Sequence, residues 1–369
     1  MSQYNVRFVN YSLQYKNLKP AIDRAIQRVL SQGDLILRHD VEEFEKNIGS
    51  FVGTKYAIGV NSCTDALIFS LMAAGIKKGD EVITVSHTFF ATVEAIVHSG
   101  ASPVLVDVGK DFLINVDEVK KAITKKTRAI LPVHLNGRVC DMEKLMAIGK
   151  KHRLVVIEDA AQALGAMYKK KKAGSFGLAS CFSFYPAKIL GAAGDGGAVV
   201  TNNREVAKKI YLLRNHGQKS KTNIACMGFT SRLHNLQAAI LNVKIPHLPK
   251  WIGQRQEIAR QYNEGLADIE GIKIPPKSDD SHFDVYQNYV LRALKRDNLF
   301  TYLKEKGVET LIKDPIPLHY HKAIGLRKFH LPYTEQLAKK VLSLPMFPEL
   351  TTKEVEYVIQ CIKEFYKKT

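Results

Sequence analysis

Between about residue 55 and residue 205, short apolar runs alternate with longer amphipathic ones, and this constrains the chain more than any other feature. The apolar runs, at 56–60, 81–85, 103–107, 129–133, 154–157, 179–184 and 198–201, read as strands. Helical periods fall between most of them, at 64–74, 90–99, 116–123 and 142–151. Strands apolar at nearly every residue must be covered on both faces, and an intervening helix brings each next strand in parallel. The expected fold class is therefore α/β: a large domain with a central, mostly parallel sheet flanked by helices. The last two runs depart from the pattern, because Gly191-Ala-Ala-Gly-Asp-Gly-Gly197 is too short to hold a helix.

Beyond Arg204 the character changes. A short helix at 205–213 gives way to a polar, turn-rich stretch at 215–232, then to helices at 233–248 and 251–266. Pro275-Pro276 opens a segment with a strand at 288–294 and helices at 297–306, 334–341 and 352–366. The last of these is opened by Thr351-Thr352, with Glu354 and Glu356 in its first turns. The boundary is expected near residue 247, giving a large domain at 1–246 and a smaller C-terminal α+β domain at 247–369.

A hydrophobic content of 46% over 369 residues is ample for buried cores. No apolar stretch approaches the ~20 residues of a membrane span. The opening Met1-Ser-Gln-Tyr-Asn-Val-Arg lacks the apolar core of a signal peptide. Cys63, Cys140, Cys181, Cys226 and Cys361 are scattered, which fits a reducing cytoplasm better than zinc or disulfides. The expectation is a soluble cytoplasmic protein with no membrane partner. The net charge of +18 raises nucleic-acid binding, but the basic residues are dispersed and no helix-turn-helix, zinc-finger or RNA-recognition signature is present. The densest run, Lys169 to Lys172, reads as an exposed turn. No nucleic-acid partner is expected, and the basic surface suits anionic small molecules.

Chemistry converges on a few strand ends. Lys188 follows Ser183-Phe-Tyr-Pro-Ala at the mouth of the glycine-rich turn, and the run at 154–157 ends in Glu158-Asp159. One amine and one carboxylate at the ends of two buried strands are what pyridoxal phosphate needs. The amine forms a Schiff base with the aldehyde, and the carboxylate pairs with the pyridinium nitrogen. Among 54 Lys and Arg, a lysine beside a turn is ordinarily just solvated, so the weight rests on what else converges. Ser62 stands where a helix begins, with Asp65 placed as in a capping box. Backbone N–H groups there would suit a phosphate, although the same pattern is also an everyday cap. Phe89, in Ser86-His-Thr-Phe-Phe90, can stack on a planar ring or fill a core. The Ser183 hydroxyl would reach the same crevice. Pro317-Leu-His-Tyr-His321 offers two imidazoles, read as substrate contacts because no acidic or cysteine partner suggests a metal. If the strands are parallel, the ends at Val60, Val85, Ile157 and Tyr185 open on one edge of the sheet.

Several motifs also resemble a known family. Val156-Ile-Glu-Asp-Ala-Ala-Gln162, Gly174-Ser-Phe-Gly177, Ser183-Phe-Tyr-Pro-Ala-Lys188 and Gly194-Asp-Gly-Gly-Ala198 resemble the DegT-type sugar aminotransferases. Gly79-Asp-Glu-Val-Ile83, Pro132-Val-His-Leu135, and Ser231-Arg-Leu233 with Leu236-Gln-Ala-Ala239 match as well. These are pyridoxal 5′-phosphate enzymes of the aspartate-aminotransferase fold (fold type I). The resemblance implies that Lys188 holds the cofactor and shuttles protons, and that Asp159 keeps the ring nitrogen protonated. It puts Gln162 at the phenolic oxygen, Phe89 on the ring, and Ser62, Cys63, Thr64 and Ser183 around the phosphate. It further implies a homodimer with shared active sites, the loop from Gly228 to Arg232 reaching into the neighbour's site. Tyr185, His319 and Arg232 are then the candidates for substrate contact.

The chain departs from the family at a few positions. Thr230-Ser-Arg stands where Asn-Ser-Arg is usual, Cys63 replaces a glycine, and His234 and Asn235 stand where acidic residues are common. The retained Lys188 argues against the related sugar dehydratases, which carry histidine there. The implied reaction moves nitrogen from glutamate to a nucleotide-diphosphate-linked 3-keto or 4-keto sugar. The competing readings are a cyclitol or amino-benzoate precursor as acceptor, another lysine-dependent reaction such as a lyase, and a nucleic-acid-binding or regulatory protein on the same fold.

Overall fold

The computed structural model describes residues 4–368. Residues 1–3, which open the segment read for a leader, and Thr369, the end of the expected second domain, lie outside the described residues. Two helices precede the alternating region. α1 (Tyr11–Gln32) starts where the Asn10 side chain accepts from the Leu13 N–H, and Gly33 at φ 70° ends it. α2 (His39–Val52) follows and buries Phe44 and Ile48.

The central sheet is built from β1 (Tyr56–Val60), β2 (Glu81–Val85), β3 (Ser102–Val106), β4 (Thr127–Ile130) and β5 (Val155–Asp159). A hairpin intervenes, β6 (Met167–Tyr168) and β7 (Lys171–Lys172), before β8 (Ala179–Ser183) and β9 (Gly197–Thr201) complete the sheet. Among the described residues it has seven strands in the order β1-β9-β8-β5-β4-β2-β3. β9 is antiparallel to both β1 and β8, while the remaining pairs are parallel. All strands but β9 therefore point the same way, as the short glycine-rich turn before β9 requires. Their C-terminal ends, at Val60, Val85, Asp159 and Ser183, lie on one edge. Helices α3 (Cys63–Ala73), α4 (Ala91–His98), α5 (Val116–Ala122), α6 (Met142–His152) and α7 (Arg204–Leu213) cover the faces.

The pleat explains the continuous apolar runs. Ile58 and Val60 join one core with Phe69, Val199 and Ile210, whereas Ala57 joins the other with Phe44, Ala198, Val200 and Phe182. At about 1.5–3 kcal/mol per large apolar side chain, each face contributes tens of kcal/mol against chain entropy. In the hairpin, Lys169 and Lys170 adopt φ values of 47° and 65°. The first half of the densest lysine run, Lys169-Lys170, is thus an exposed two-residue turn whose twist matches its strands, while Lys171 and the half-buried Lys172 form β7.

Beyond α7 come a small hairpin, β10 (Gln218–Ser220) with β11 (Asn223–Ile224), and the helices α8 (Asn235–Lys244) and α9 (Leu248–Leu266). β12 (Ile272–Lys273), β14 (Tyr289–Ala293) and β15 (Val341–Leu344) form a three-stranded antiparallel sheet, and β13 (His282–Phe283) instead pairs with β6. α10 (Arg296–Glu305), α11 (Pro332–Ala338) and α12 (Thr352–Lys368) complete the chain. The helix expected at 334–341 ends at Ala338, because Val341–Leu344 is wholly buried and hydrogen-bonds to β14 instead. α9 serves two cores. Leu248, Trp251 and Ile252 enter the first, and Ile258, Tyr262 and Leu266 enter the core of the C-terminal half. Core membership also departs from chain order at the start, where Val6 bridges to Val308 and is buried in that same core. No described helix is long and apolar enough to cross a membrane, and all five cysteines are free.

Candidate active site

The strand ends open into a cleft of about 790 Å³. Its floor and walls include Ser62, Cys63, Thr64, Phe89, Asp159, Gln162, Ser183, Tyr185 and Lys188. Nine of the twelve positions singled out in the sequence thus meet in one place, drawn from four stretches of chain.

Each is set by its local fold. Ser62 caps α3, its hydroxyl accepting from the Asp65 N–H at 3.1 Å. The capping box is only half formed, since the Asp65 carboxylate accepts from Ser231 Oγ at 2.7 Å rather than turning back to the cap. Opposite this helix start runs Gly197, where a Cβ would overlap the Ser62 carbonyl and lie 2.7 Å from the Cys63 nitrogen. Only glycine lets β9 approach so closely. The Ser62 hydroxyl takes the Asp65 N–H, and the start of α3 at Ser62, Cys63 and Thr64 lines the cleft, where the remaining first-turn N–H groups suit an anion.

Asp159 and Glu158 end β5. Glu158 is fully buried and accepts from His134 Nε2, the N–H groups of Gly174, Phe176 and Gly177, and Ser180 Oγ, at 2.7–3.0 Å. The Cys140 N–H donates to His134 Nδ1, which puts the ring proton on Nε2, toward Glu158. Burial pushes the Glu158 carboxyl up, but these donors, His134 foremost, prevail and hold it below the usual range. Asp159 accepts from Thr92 Oγ1 at 2.8 Å and from the Ala161 N–H at 3.2 Å. Since Thr92 gives its proton to Asp159, Thr88, 2.8 Å away, must donate to Thr92. Burial outweighs these bonds and raises the Asp159 carboxyl. On the floor beside it, desolvation lowers the Lys188 amine, opposed by Cys63 and Asp159.

Gln162 Oε1 accepts from the Asn136 N–H at 2.9 Å and from Asn288 Nδ2 at 3.0 Å, leaving its amide nitrogen to donate into the cleft. Phe89, 67% exposed, stands at the mouth with Tyr185. His87 beside it is buried against Phe112, and burial lowers its imidazole to about 4.

Three expected residues are not on the wall. His319 is fully buried, with Nδ1 2.8 Å from Ser86 Oγ and Nε2 3.2 Å from Glu335. Both ring nitrogens are engaged beside Leu318, so the expectation of a substrate contact there is corrected: its imidazole ties two elements together. Thr230 bonds His216 Nε2 at 2.9 Å on the surface, and Arg232 donates to Asn215 Oδ1 at 3.0 Å. The cleft also takes Phe8, Tyr11, Gln287, Glu309, Lys313 and Asp314, none of which the sequence singled out.

An anion site, a buried carboxylate, a nearby amine with a lowered pKa and an exposed ring are the donor set that pyridoxal phosphate requires. The DegT/DnrJ/EryC1/StrS aminotransferase family model matches residues 16–363. The chain belongs to that family. This aminotransferase is 45% identical to a "Pleiotropic regulatory protein" of Geobacillus stearothermophilus, over 98% of this chain and 99% of the relative. It is 40% identical to a dTDP-3-amino-3,4,6-trideoxy-alpha-D-glucose transaminase of Streptomyces venezuelae, over 98% and 96%. Among solved structures, S. venezuelae DesV in complex with a ketimine intermediate superposes at TM-score 0.96, with 39% identity and 99% of both chains covered. NtdA of Bacillus subtilis with bound cofactor PMP superposes at 0.90, with 32% identity over 95% of this aminotransferase and 82% of that chain.

Proposed function

We propose that this aminotransferase binds pyridoxal 5′-phosphate in the cleft and moves an amino group from glutamate to a nucleotide-diphosphate-linked 3-keto or 4-keto sugar. The observation that carries the reading is the meeting of Lys188, Asp159 and the N-terminal end of α3 in one cleft. When bound, the cofactor supplies an electron sink and carries the nitrogen between substrates. The rest falls to the chain. Lys188, its amine lowered by desolvation, takes a proton from the substrate carbon and returns it. Asp159 holds positive charge at the ring nitrogen, Gln162 donates to the phenolic oxygen and Phe89 covers the ring. Ser62, Cys63, Thr64 and Ser183 hold the phosphate. Tyr185 at the mouth contacts the sugar nucleotide.

The chain works as a homodimer in this reading. Thr230 and Arg232 lie off their own cleft, beside the exposed apolar Ile224, Met227 and Phe229, as residues serving a neighbouring subunit would. The sugar assignment rests on the transaminase relative, which acts on a dTDP-linked sugar by its name.

The test is direct. Purified protein is yellow, borohydride reduction fixes the cofactor on Lys188, and glutamate with a panel of nucleotide-linked keto-sugars yields an amino sugar by mass spectrometry and NMR. Attachment at another lysine defeats the assignment. A regulatory reading draws on the name of the Geobacillus relative. Salt-dependent binding to duplex DNA without cofactor absorbance would favour it.

A further inference from the structure

The cleft wall carries a second amine to which the proposed reaction gives no task. Lys313 follows Leu311, which exchanges two backbone hydrogen bonds with Ser343 of β15 at 3.1 and 2.8 Å, so the segment is fastened to the sheet. Lys313 Nζ donates to Asn288 Oδ1 at 2.6 Å and lies 5.9 Å from the centre of the Phe8 ring. Among the described residues it forms no ion pair within 4.0 Å. A partly buried ammonium is costly unless compensated, and the adjacent Asp314 carboxylate offsets only part of that cost. Desolvation, aided by the charge on Lys188, pushes it down to about 8.

The described residues lining the cleft include two cationic side chains, Lys188 and Lys313. With Lys188 assigned to nitrogen transfer, Lys313 is the cation that the cleft's own subunit leaves for an anion arriving from solvent, beside any that a neighbouring subunit brings. Asn288 occupies one of its three protons, and the two that remain suit a single carboxylate. Asp314 and Glu309 share the wall and oppose any anion at the Lys313 end, a dianionic phosphate more strongly than a singly charged carboxylate. We propose that Lys313 is the carboxylate anchor of this cleft, pairing with a carboxylate of the amino-acid donor or of a uronate-type sugar. The inference rests on reading the cleft as a transamination site.

Calorimetry on the cofactor-loaded protein tests it, comparing wild type with Lys313→Met, Lys313→Gln and Lys313→Arg. The ligands are 2-oxoglutarate, a nucleotide-linked uronic acid and the matching neutral hexose nucleotide. Loss of a charge-assisted pair weakens binding about tenfold or more. The expected result is that loss for one carboxylate ligand in both neutral variants, unchanged binding of the neutral nucleotide, and recovery in Lys313→Arg. The weakened ligand identifies which carboxylate is held. Wild-type affinity for both acids in the neutral variants overturns the proposal. So does an equal loss for the neutral nucleotide, which would mean that Lys313 acts through Asn288 and Gln162. Thermal unfolding verifies that each variant is folded. A wild type that converts no amino acid to its keto acid defeats the transamination reading separately and leaves the calorimetric comparison intact.

Discussion

Glu158 and Asp159, consecutive on β5, turn their carboxylates to opposite sides of the sheet and carry opposite pKa shifts. Glu158 faces five donors and is held low, while Asp159 faces the cleft with two and is raised. The same strand end therefore holds a structural acid and a chemical one.

Glu158 contributes stability above its unfolded pKa, and the contribution is lost as pH falls through its lowered folded value. Glu158→Ala removes the acceptor of all five donors, three of them backbone N–H groups, and is expected to cost about 3–5 kcal/mol, read by urea unfolding at pH 7. A near-neutral result would mean that the donors find water.

Asp159 works in the other direction. Its raised folded pKa places a penalty on the folded state that is complete above that value and fades as pH falls. Asp159→Asn is expected to raise the melting temperature of cofactor-free protein by about 1–3 °C at pH 7, with the gain vanishing in acid. Transamination should fall by about a hundredfold or more as the ring nitrogen loses its counter-charge. A variant that is both less stable and fully active would contradict both expectations.

Gly197→Ala drives a methyl group into the Ser62–Cys63 peptide. Cofactor affinity, followed by absorbance titration, is expected to drop at least tenfold, with a stability loss of about 1–3 kcal/mol. Gly253→Ala, where nothing lies within 4 Å of a new Cβ inside α9, is the matched control and should leave cofactor affinity unchanged while gaining about 0.5–1 kcal/mol of stability.

Lys188→Ala and Arg232→Ala are each expected to be inactive alone, Lys188→Ala by about a thousandfold. If the loop around Arg232 serves a neighbour, mixing the two variants rebuilds one intact site per mixed dimer. About a quarter of wild-type activity should return, given random exchange between two-fold dimers. No recovery on mixing verified dimers would confine Arg232 to its own subunit.

The central sheet was legible because its strands are apolar on both faces and separated by helices, so even the lone reversed strand showed in a turn too short for a crossover. The cofactor groups stood at strand ends, where position alone points to a crevice. α1 gave little signal. It buries only Ile22, Ala25 and Val29, and carries Pro20 in its interior. Val341–Leu344 was taken into a helix because a short, fully buried run has no period to distinguish it. His319 misled for a related reason, since neither ring contact could be foreseen without knowing that Ser86 and Glu335 would meet it. Lys313 had no local mark among 54 basic residues, and it reaches the cleft only because Leu311 pairs with β15.

The bridge from Val6 to Val308 sets an order of events during synthesis. Phe8 and Tyr11 are made well before Gly307 and Glu309, yet their side of the cleft cannot be placed until the residues around Gly307 and Glu309 have emerged. The central sheet can assemble while the segment around Val6 is still unanchored. The last wall of the cleft thus closes only after the segment from Gly307 to Asp314 has been made, long after the sheet that carries Lys188 and Asp159.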